Sequence, residues 1–287
     1  MLRIRALDAA DFAAADDVLR AAFHANVSFE PRLRRYLAMQ PDGWLAADDE
    51  GQVVGLVGAI DYGAFAYVGL MAVRPDRQGQ RLGRRLMDAL LAVLDGRGTT
   101  CALLDASPLG APLYERSGFV DAGLSHEFWG GDGGDGAAPF TDGDARVTVV
   151  VAGTGELDDI VSLDAAFLGA PRERLWRWLY ATHREGILAA RDATGTLAGY
   201  LCVQGPLLGP FGAVTPAVAS RLIAAALAKL GHRNVRMQVP EENAEARALL
   251  AQAGFREMRA LRHMRRGPCP AFAGWRSIYG KGSYCLG

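Results

Sequence analysis

The stretch from Ala66 to Leu94 constrains the fold more than any other. It reads AYVGLMAV, then RPDRQGQR, then LGRRLMDALLAVL. The first piece is short, apolar and rich in β-formers, and it ends at Arg74-Pro75, which makes it a buried strand and too brief for a free-standing helix. From Leu82 the apolar residues return at Leu86, Leu90 and Leu94, one stripe at helical spacing. Between strand and helix, residues 74–85 hold five arginines, Arg74, Arg77, Arg81, Arg84 and Arg85, against the single acid Asp76. Cations at a helix start oppose its partial positive charge. A bound anion reverses that sign, and free first-turn N–H groups, with Gly79 and Gly83 allowing close approach, suit a phosphate or pyrophosphate. The same residues also fit a solvated arginine-rich turn on a surface helix.

Length and charge set the frame around this turn. The chain has 287 residues, half of them hydrophobic, which suggests about two domains with a real core each. Its 31 basic and 32 acidic residues nearly balance, so no global charge points to nucleic acid or to disorder. Cys101, Cys202, Cys269 and Cys285 are widely spaced and form no C-x-x-C, so neither a zinc ribbon nor a disulfide framework is expected, and a reducing cytoplasm fits. The five histidines are isolated, and no metal is expected. Charges interrupt every apolar run, including the one near 213–230, and no membrane span or export segment is expected.

Gln78-Gly79-Gln80-Arg81-Leu82-Gly83 after an apolar strand resembles the Q/R-x-x-G-x-G/A turn of the GNAT superfamily of N-acetyltransferases. Arg81 departs from that pattern. It stands where the first glycine normally sits, and a side chain there restricts the backbone and crowds the ligand. A second signature follows about 30 residues on, where LYERSGF (113–119) resembles the LYE-x-x-GF segment of the family. The preceding order also matches: a strand at Leu2–Ala6, helices from about Asp11 and Pro31, and a hairpin split by Asp48-Asp49-Glu50-Gly51. The resemblance implies a mixed α/β fold and acetyl-CoA as co-substrate. It implies contacts to that cofactor from Met71, Ala72 and Val73 of the strand and from Gln78, Gly79, Gln80, Arg81, Leu82, Gly83 and Arg84 of the turn.

Residues 130–144, GGDGGDGAAPFTDGD, read as a linker between modules at 1–129 and 145–287. They contain a G-x-G-x-x-G with no helix after it and a lone calcium-repeat hexamer, and both are read as linker. Beyond the linker the first pattern returns. GILAARDATGTLAGYLCV (186–203) echoes GWLAADDEGQVVGLVGA (43–59), and LLAQAGF (249–255) echoes LYERSGF. The offset is 143 between Gly43 and Gly186 but 136 between Gly118 and Gly254, so the second copy has lost seven residues where the first keeps its arginine turn. In their place Thr215 and Pro216 cap a helix, and Leu250 stands where the first copy has Tyr114. The second copy is therefore expected to be a degenerate GNAT-like module that does not bind CoA, ending in a tail with Ile278-Tyr279-Gly280.

For direct transfer of an acetyl group, the chain must supply a proton for the departing thiolate, and by the resemblance Tyr114 gives it, a phenol being protonated at neutral pH. An acceptor ammonium must lose a proton, yet the 66–73 strand carries no Asp, Glu or His. Asp61, Asp105, His24, His126 or a water relay remain open as the base. Tyr62, Phe65, Trp129, Trp176 and Trp178 could line an acceptor pocket or simply fill cores. No G-x-S-x-G, H-E-x-x-H or P-loop supports a hydrolase, zinc protease or nucleotide triphosphatase. The function expected is acetyl-CoA-dependent acetylation of a small-molecule or amino-acid-like amine. The alternatives are a non-catalytic CoA- or amine-binding sensor and a decayed interaction scaffold. The expected assembly is a monomer whose two modules imitate a dimer, or a homodimer.

Overall fold

The structure is a computed structural model and describes residues 2–130, 145–230, 234–269 and 273–287. The stretch read as linker, with its two false motifs, lies outside the described residues except for Gly130. In chain order the elements are β1 (Leu2–Ala6), α1 (Phe12–Phe23), α2 (Glu30–Met39), β2 (Trp44–Asp49), β3 (Gln52–Asp61), β4 (Ala66–Val73), α3 (Leu82–Gly96), β5 (Ala102–Ala106), α4 (Ala111–Arg116) and β6 (Val120–Gly130). The pattern then repeats with β7 (Thr148–Val151), α5 (Thr154–Leu168), α6 (Glu173–His183), β8 (Ile187–Arg191), β9 (Leu197–Gln204), β10 (Leu207–Ala213), α7 (Pro216–Leu230), β11 (Val235–Pro240), α8 (Ala244–Gln252), β12 (Arg256–Arg266) and β13 (Ile278–Gly280). Two compact units result. The first gathers Met1–Asp121, Met264–Pro270 and Leu286, and the second gathers Ala122–His263, Ala271–Cys285 and Gly287.

In the first unit β1, β2, β3 and β4 run antiparallel in that order, and β5 lies parallel to β4. The β2–β3 loop is Glu50-Gly51, both at positive φ (54° and 88°), the paired left-handed conformation that suits a two-residue hairpin. Asp48 holds this turn by accepting from the Gly51 N–H at 2.8 Å, and it also takes the Arg5 guanidinium at 2.7 Å. Arg5 reaches Asp11 as well, at 2.6 Å, which ties the first strand to the capped turn before α1. The stripe read from sequence is the buried face of α3: Leu82, Leu86, Leu90 and Leu94 pack with Val54, Val57, Ala66, Val68, Leu104, Phe119 and Met264. Helix α1 lies against β3 and β4 with Phe12, Ala15, Val18 and Leu19 buried outside that cluster, so it covers the other face of the sheet. There Trp44 stacks on Tyr36 with ring centroids 5.1 Å apart. A Cβ on Gly58 would fall 2.0 Å from the Trp44 ring, so only glycine fits beneath it.

One sequence expectation is overturned in this unit. Cys101 and Cys269 form a disulfide, their Cα atoms 4.8 Å apart across a sequence separation of 168, while Cys202 and Cys285 are free and buried. Spacing arithmetic detects only local cysteine pairs, and this bond joins the start of β5 to a segment supplied from the far end of the chain. The argument for a reducing compartment drawn from unpaired cysteines therefore lapses.

In the second unit β7, β8, β9 and β10 are antiparallel, and β11 lies parallel to β10. Residues of β6 from Ser125 to Gly130 pair antiparallel with β11. The core places Val218, Leu222, Ile223 and Leu227 of α7 on strand residues such as Leu201, Phe211 and Met237. Beneath α5 a buried polar knot is fully partnered. Arg172 grips Asp164 with two bonds of 2.7 and 2.9 Å, and Tyr200 donates its hydroxyl to the same carboxylate at 2.6 Å. Burial and the Asp164 charge push the Tyr200 phenol far above its usual range. Among the described residues no helix is long and apolar enough to cross a membrane, and no group of three or more metal-ligating side chains is gathered.

Candidate acyl-CoA site and its relatives

The site begins with two irregularities in β4. Its parallel pairing with β5 is confined to Ala66 with Ala102 and Tyr67 with Leu103, after which the two strands part. At Leu70 the backbone is left-handed (φ 51°), and the register with β3 slips between Leu56 opposite Ala72 and Gly58 opposite Gly69. One extra residue on β4 is a bulge, which bends the strand away from its neighbour. The Arg74 N–H donates to the Val54 carbonyl at 2.9 Å, so by alternation Met71 and Val73 turn their main-chain groups off β3 and into the fork. The Val73 carbonyl there accepts the side-chain amide of Gln78 at 3.1 Å.

The fork opens into a groove of about 510 Å³, within the range of small-ligand sites. Met71, Ala72 and Val73 form one wall. The turn supplies Arg77, Gln78, Gly79, Arg81, Leu82, Gly83 and Arg84, and α4 with its approach supplies Leu109, Gly110, Leu113 and Arg116. Of the turn residues expected at the cofactor, Gln80 is not on this lining. Gly83 sits where a Cβ would be 3.2 Å from the Leu113 Cδ2, so its bareness keeps α3 and α4 close at the groove floor.

Helix α3 opens on the groove without a cap. Its N-cap residue is Arg81, which makes no capping bond, and no acid stands in the first turn. The first helical donor is the Arg85 N–H, to the Arg81 carbonyl at 3.1 Å, leaving the N–H groups of Leu82, Gly83 and Arg84 without a helix partner. Arg81 does what the sequence made doubtful for a side-chain residue. It adopts φ 62°, ψ 13°, the left-handed conformation that glycine holds freely, and keeps its side chain exposed. Three neighbouring arginines already have acids: Arg74 with Asp76 at 2.7 Å, Arg77 with Asp49 at 2.9 Å and Arg84 with Asp88 at 2.7 Å. Arg84 also donates to the Arg116 carbonyl, linking α3 to α4. Among the described residues Arg81, Arg85 and Arg116 have no acid partner.

Tyr114 lies on the groove-lining helix α4, but its half-buried ring turns to Phe119, centroids 6.0 Å apart, and under Gly110, and it is not on the lining. The four candidate bases separate clearly. Asp61 accepts from Thr99 Oγ1 at 2.8 Å and from the Gly63 N–H, a turn-holding role. His24 is the exposed left-handed C-cap of α1, and His126 belongs to the second unit, its Nδ1 2.8 Å from Glu257. Asp105 stands two residues past the last paired residue of β5, on the face away from α3, and accepts the Tyr67 hydroxyl at 2.7 Å. Phe65, Tyr62 and Trp176 are core residues, whereas Trp129, 42% exposed, donates its Nε1 to Glu127 in the second unit. Sequence reading missed Arg77, Leu109, Gly110, Leu113 and Arg116 as lining residues; Leu109 lies outside both signatures, and Arg116 stands at an unspecified position of the LYE-x-x-GF segment.

The corresponding fork in the second unit is filled. β10 and β11 pair only at Leu207 with Arg236. Into the opening runs β13, antiparallel to β10 at Phe211 with Gly280 and Gly212 with Ile278. On the other side the Lys281 N–H donates to the Gln238 carbonyl of β11 at 2.8 Å, and Asn243 donates to the Ile278 carbonyl at 3.0 Å. The α7 start, capped by Thr215 Oγ1 from the Val218 N–H at 3.3 Å, has no glycine turn.

Two family models, each described as an acetyltransferase (GNAT) domain, match residues 40–121 and 160–280, between them more than half of the chain. The uncharacterized N-acetyltransferase YitH of Bacillus subtilis (strain 168) is 29% identical over 220 residues, covering 71% of each chain. Serotonin N-acetyltransferase 2, chloroplastic, of Oryza sativa subsp. japonica is 37% identical over 95 residues, 32% of this chain and 48% of its own length. Among solved structures, a Pyrococcus horikoshii protein described as an acetyltransferase superposes with a TM-score of 0.84 at 22% identity, covering 100% of this chain and 96% of that one. The tandem GNAT protein from the clavulanic acid biosynthesis pathway gives 0.64 at 19% identity, covering 94% and 100%. At those identities the likeness speaks for the fold. A forked β4–β5 pair, an uncapped helix start behind an arginine turn and a repeated plan whose two copies each match the same domain description lead to one assignment: this chain belongs to the GNAT superfamily and is an N-acetyltransferase built of two GNAT modules in tandem.

Proposed function

We propose that the first module binds acetyl-CoA and transfers its acetyl group directly to the amine of a small-molecule or amino-acid-like acceptor. The observation that carries this reading is the junction of the β4–β5 fork with the uncapped start of α3, a strand-like slot that leads to three unpartnered helix amides. Acetyl-CoA, when bound, supplies the activated acyl thioester. The main-chain groups of Met71 and Val73 are turned to extend the sheet onto an amide-bearing ligand by strand addition. The N–H groups of Leu82, Gly83 and Arg84 suit a diphosphate, and Gly83 leaves room for it. Tyr114 holds a proton at Oη for the departing thiolate, reaching the groove by rotation from its place beside Phe119. Asp105, oriented by Tyr67 beyond the point where the strands part and off the groove lining, takes in this reading the proton that the acceptor ammonium loses before its nitrogen attacks the thioester carbon. The rice relative carries serotonin, an amine, in its name, which agrees with an amine acceptor.

The second module, its fork taken by β13, contributes no cofactor site in this reading. Thiol release from acetyl-CoA is the test, measured across tryptamine, spermidine and lysine methyl ester. Turnover of at least one amine supports the proposal, and none with any of them removes it. The absence of any acid or histidine on β4 favours a second reading, a CoA sensor, for which acetyl-CoA would raise the melting temperature without thiol release.

A further inference from the structure

The width of the fork depends on where β5 goes after it leaves β4, and β5 is held at its root. The Cys101 carbonyl, immediately before β5, accepts the Ala66 N–H at 2.8 Å, and beyond it only Ala66 with Ala102 and Tyr67 with Leu103 are in register. On its other side β5 has β12 as its neighbour in the sheet, and Met264–Pro270, the end of β12 and the residues after it, belong to the first unit. A Cβ on Gly267 would fall 2.0 Å from the Thr100 carbonyl oxygen, so this segment lies directly on the backbone that enters β5. Past Met264, which is buried with the α3 leucines, little besides sulfur keeps it there. Gly267 and Pro268 are exposed, and the Arg266–Asp95 ion pair, at 3.2 Å and partly open to solvent, is of the kind that contributes little. The covalent tie is Cys101–Cys269, and its two ends differ: Cys101 is buried, whereas Cys269 is partly exposed.

We propose that Cys101–Cys269 is a reversible redox clamp on the first module, which binds acetyl-CoA tightly with the bond formed and weakly with it reduced. The inference rests on the reading of the groove as an acyl-CoA site. The reductant is a dithiol or a pair of monothiols. One of its thiolates attacks Sγ of Cys269, the accessible end; the S–S bond breaks, a mixed disulfide forms, and Cys101 leaves as a thiolate that takes a proton. The second reductant thiolate attacks the reductant sulfur of that mixed disulfide, Cys269 leaves and is protonated, and the two reductant sulfurs end joined, so that two electrons have passed to the protein. Without the tie, residues 267–269 lift from Thr100, the root of β5 loses its cover, and the fork no longer holds one width for its ligand. The opened bond had also closed a loop across 168 residues, so the unfolded chain gains freedom when it is cut. Cys202 and Cys285 lie buried in the second unit and take no part in the disulfide, which leaves Cys269 as the sulfur that solvent reaches.

The test takes one preparation of the full-length chain through three states: oxidised, reduced with dithiothreitol and freed of it under nitrogen, and reoxidised with oxidised glutathione. Acetyl-CoA is the titrant, because its sulfur is acylated and cannot exchange with the disulfide. Alkylation and peptide mass should show the thiols of Cys101 and Cys269 appearing on reduction and vanishing on reoxidation. Acetyl-CoA affinity should fall about tenfold on reduction and return on reoxidation, with the far-ultraviolet spectrum unchanged and the melting temperature lowered by about 5 °C in the reduced state. Cys269→Ser should keep the reduced-state affinity with or without dithiothreitol. An affinity that reduction does not move, even where the melting temperature falls, makes the bond a structural staple and overturns the clamp. So do loss of the far-ultraviolet spectrum on reduction, a bond that dithiothreitol does not open in the folded chain, and a Cys269→Ser chain whose affinity still follows the reductant. Failure of the oxidised chain to bind acetyl-CoA overturns the reading of the groove itself.

Discussion

Arg81 and Gly83, two residues apart, shape the same turn by opposite means, one by accepting a strained backbone and the other by having no side chain. A Cβ on Gly83 meets Leu113 at 3.2 Å, so Gly83→Val pushes branched methyls into the groove floor. Its expected effect is at least a tenfold loss of CoA affinity by titration with the far-ultraviolet spectrum unchanged. Tyr114→Phe isolates the hydroxyl. The expected outcome is a fall in kcat for thiol release of about 10²-fold or more with CoA affinity unaltered, and an unchanged kcat removes Tyr114 from the mechanism. At this scale the sequence was most legible where a motif fixed spacing. The turn from Gln78 to Arg84 was expected at the cofactor through its resemblance to a family motif, and all of it but Gln80 lines the groove. Arg116 escaped because it stands at an unspecified position of the LYE-x-x-GF segment, and Leu109 because its relevance depends on α4 folding back beside α3, which no local pattern records. Cys101 and Cys269 escaped for the same physical reason.

Elements carry the next set of consequences. The first strand is fastened through Arg5 to Asp48, which also holds the β2–β3 turn, and to Asp11, which caps the turn before α1. The hydrogen bond from Arg5 and that from the Gly51 N–H draw the Asp48 carboxyl down to about 2, and Arg5 likewise lowers Asp11. Asp48 thus sits below its unfolded value of about 3.9, so the stability it adds is complete above about pH 5 and is lost as pH falls toward 2, and Asp11 adds to it with the same sign. Asp48→Asn should therefore melt below the wild type at pH 6, and the gap should close by pH 2. The tail strand illustrates the limits of reading elements from sequence. Ile278-Tyr279-Gly280 was recognised as a family-like ending, but three residues have too little periodicity to announce a strand, and their partners lie about 70 and 40 residues away on β10 and β11.

For the whole molecule, the tandem plan and its asymmetry are written in the repeat and the missing seven residues, and the filled fork supplies a physical cause for that asymmetry. A titration of the intact chain should return one equivalent of CoA, and a second equivalent would contradict the assignment of the second module. Removing half of the buried ion pair beneath α5 tests how that module is held. Arg172→Ala leaves Asp164 charged and buried without its guanidinium, and about 3–5 kcal/mol of unfolding free energy should be lost by denaturant titration. Met264 shares the apolar cluster of the α3 leucines, and the disulfide anchors Cys269 to the same unit. About 140 residues separate Asp121 from Met264, so a ribosome elongating at about 5–20 residues per second delivers the missing core residue roughly 7–30 s after the rest of that core has emerged. The nascent first unit must wait for its own closing stitch, and a translation pause or premature release in that interval leaves a chain that lacks Met264 in its core and Cys269 to pair with Cys101.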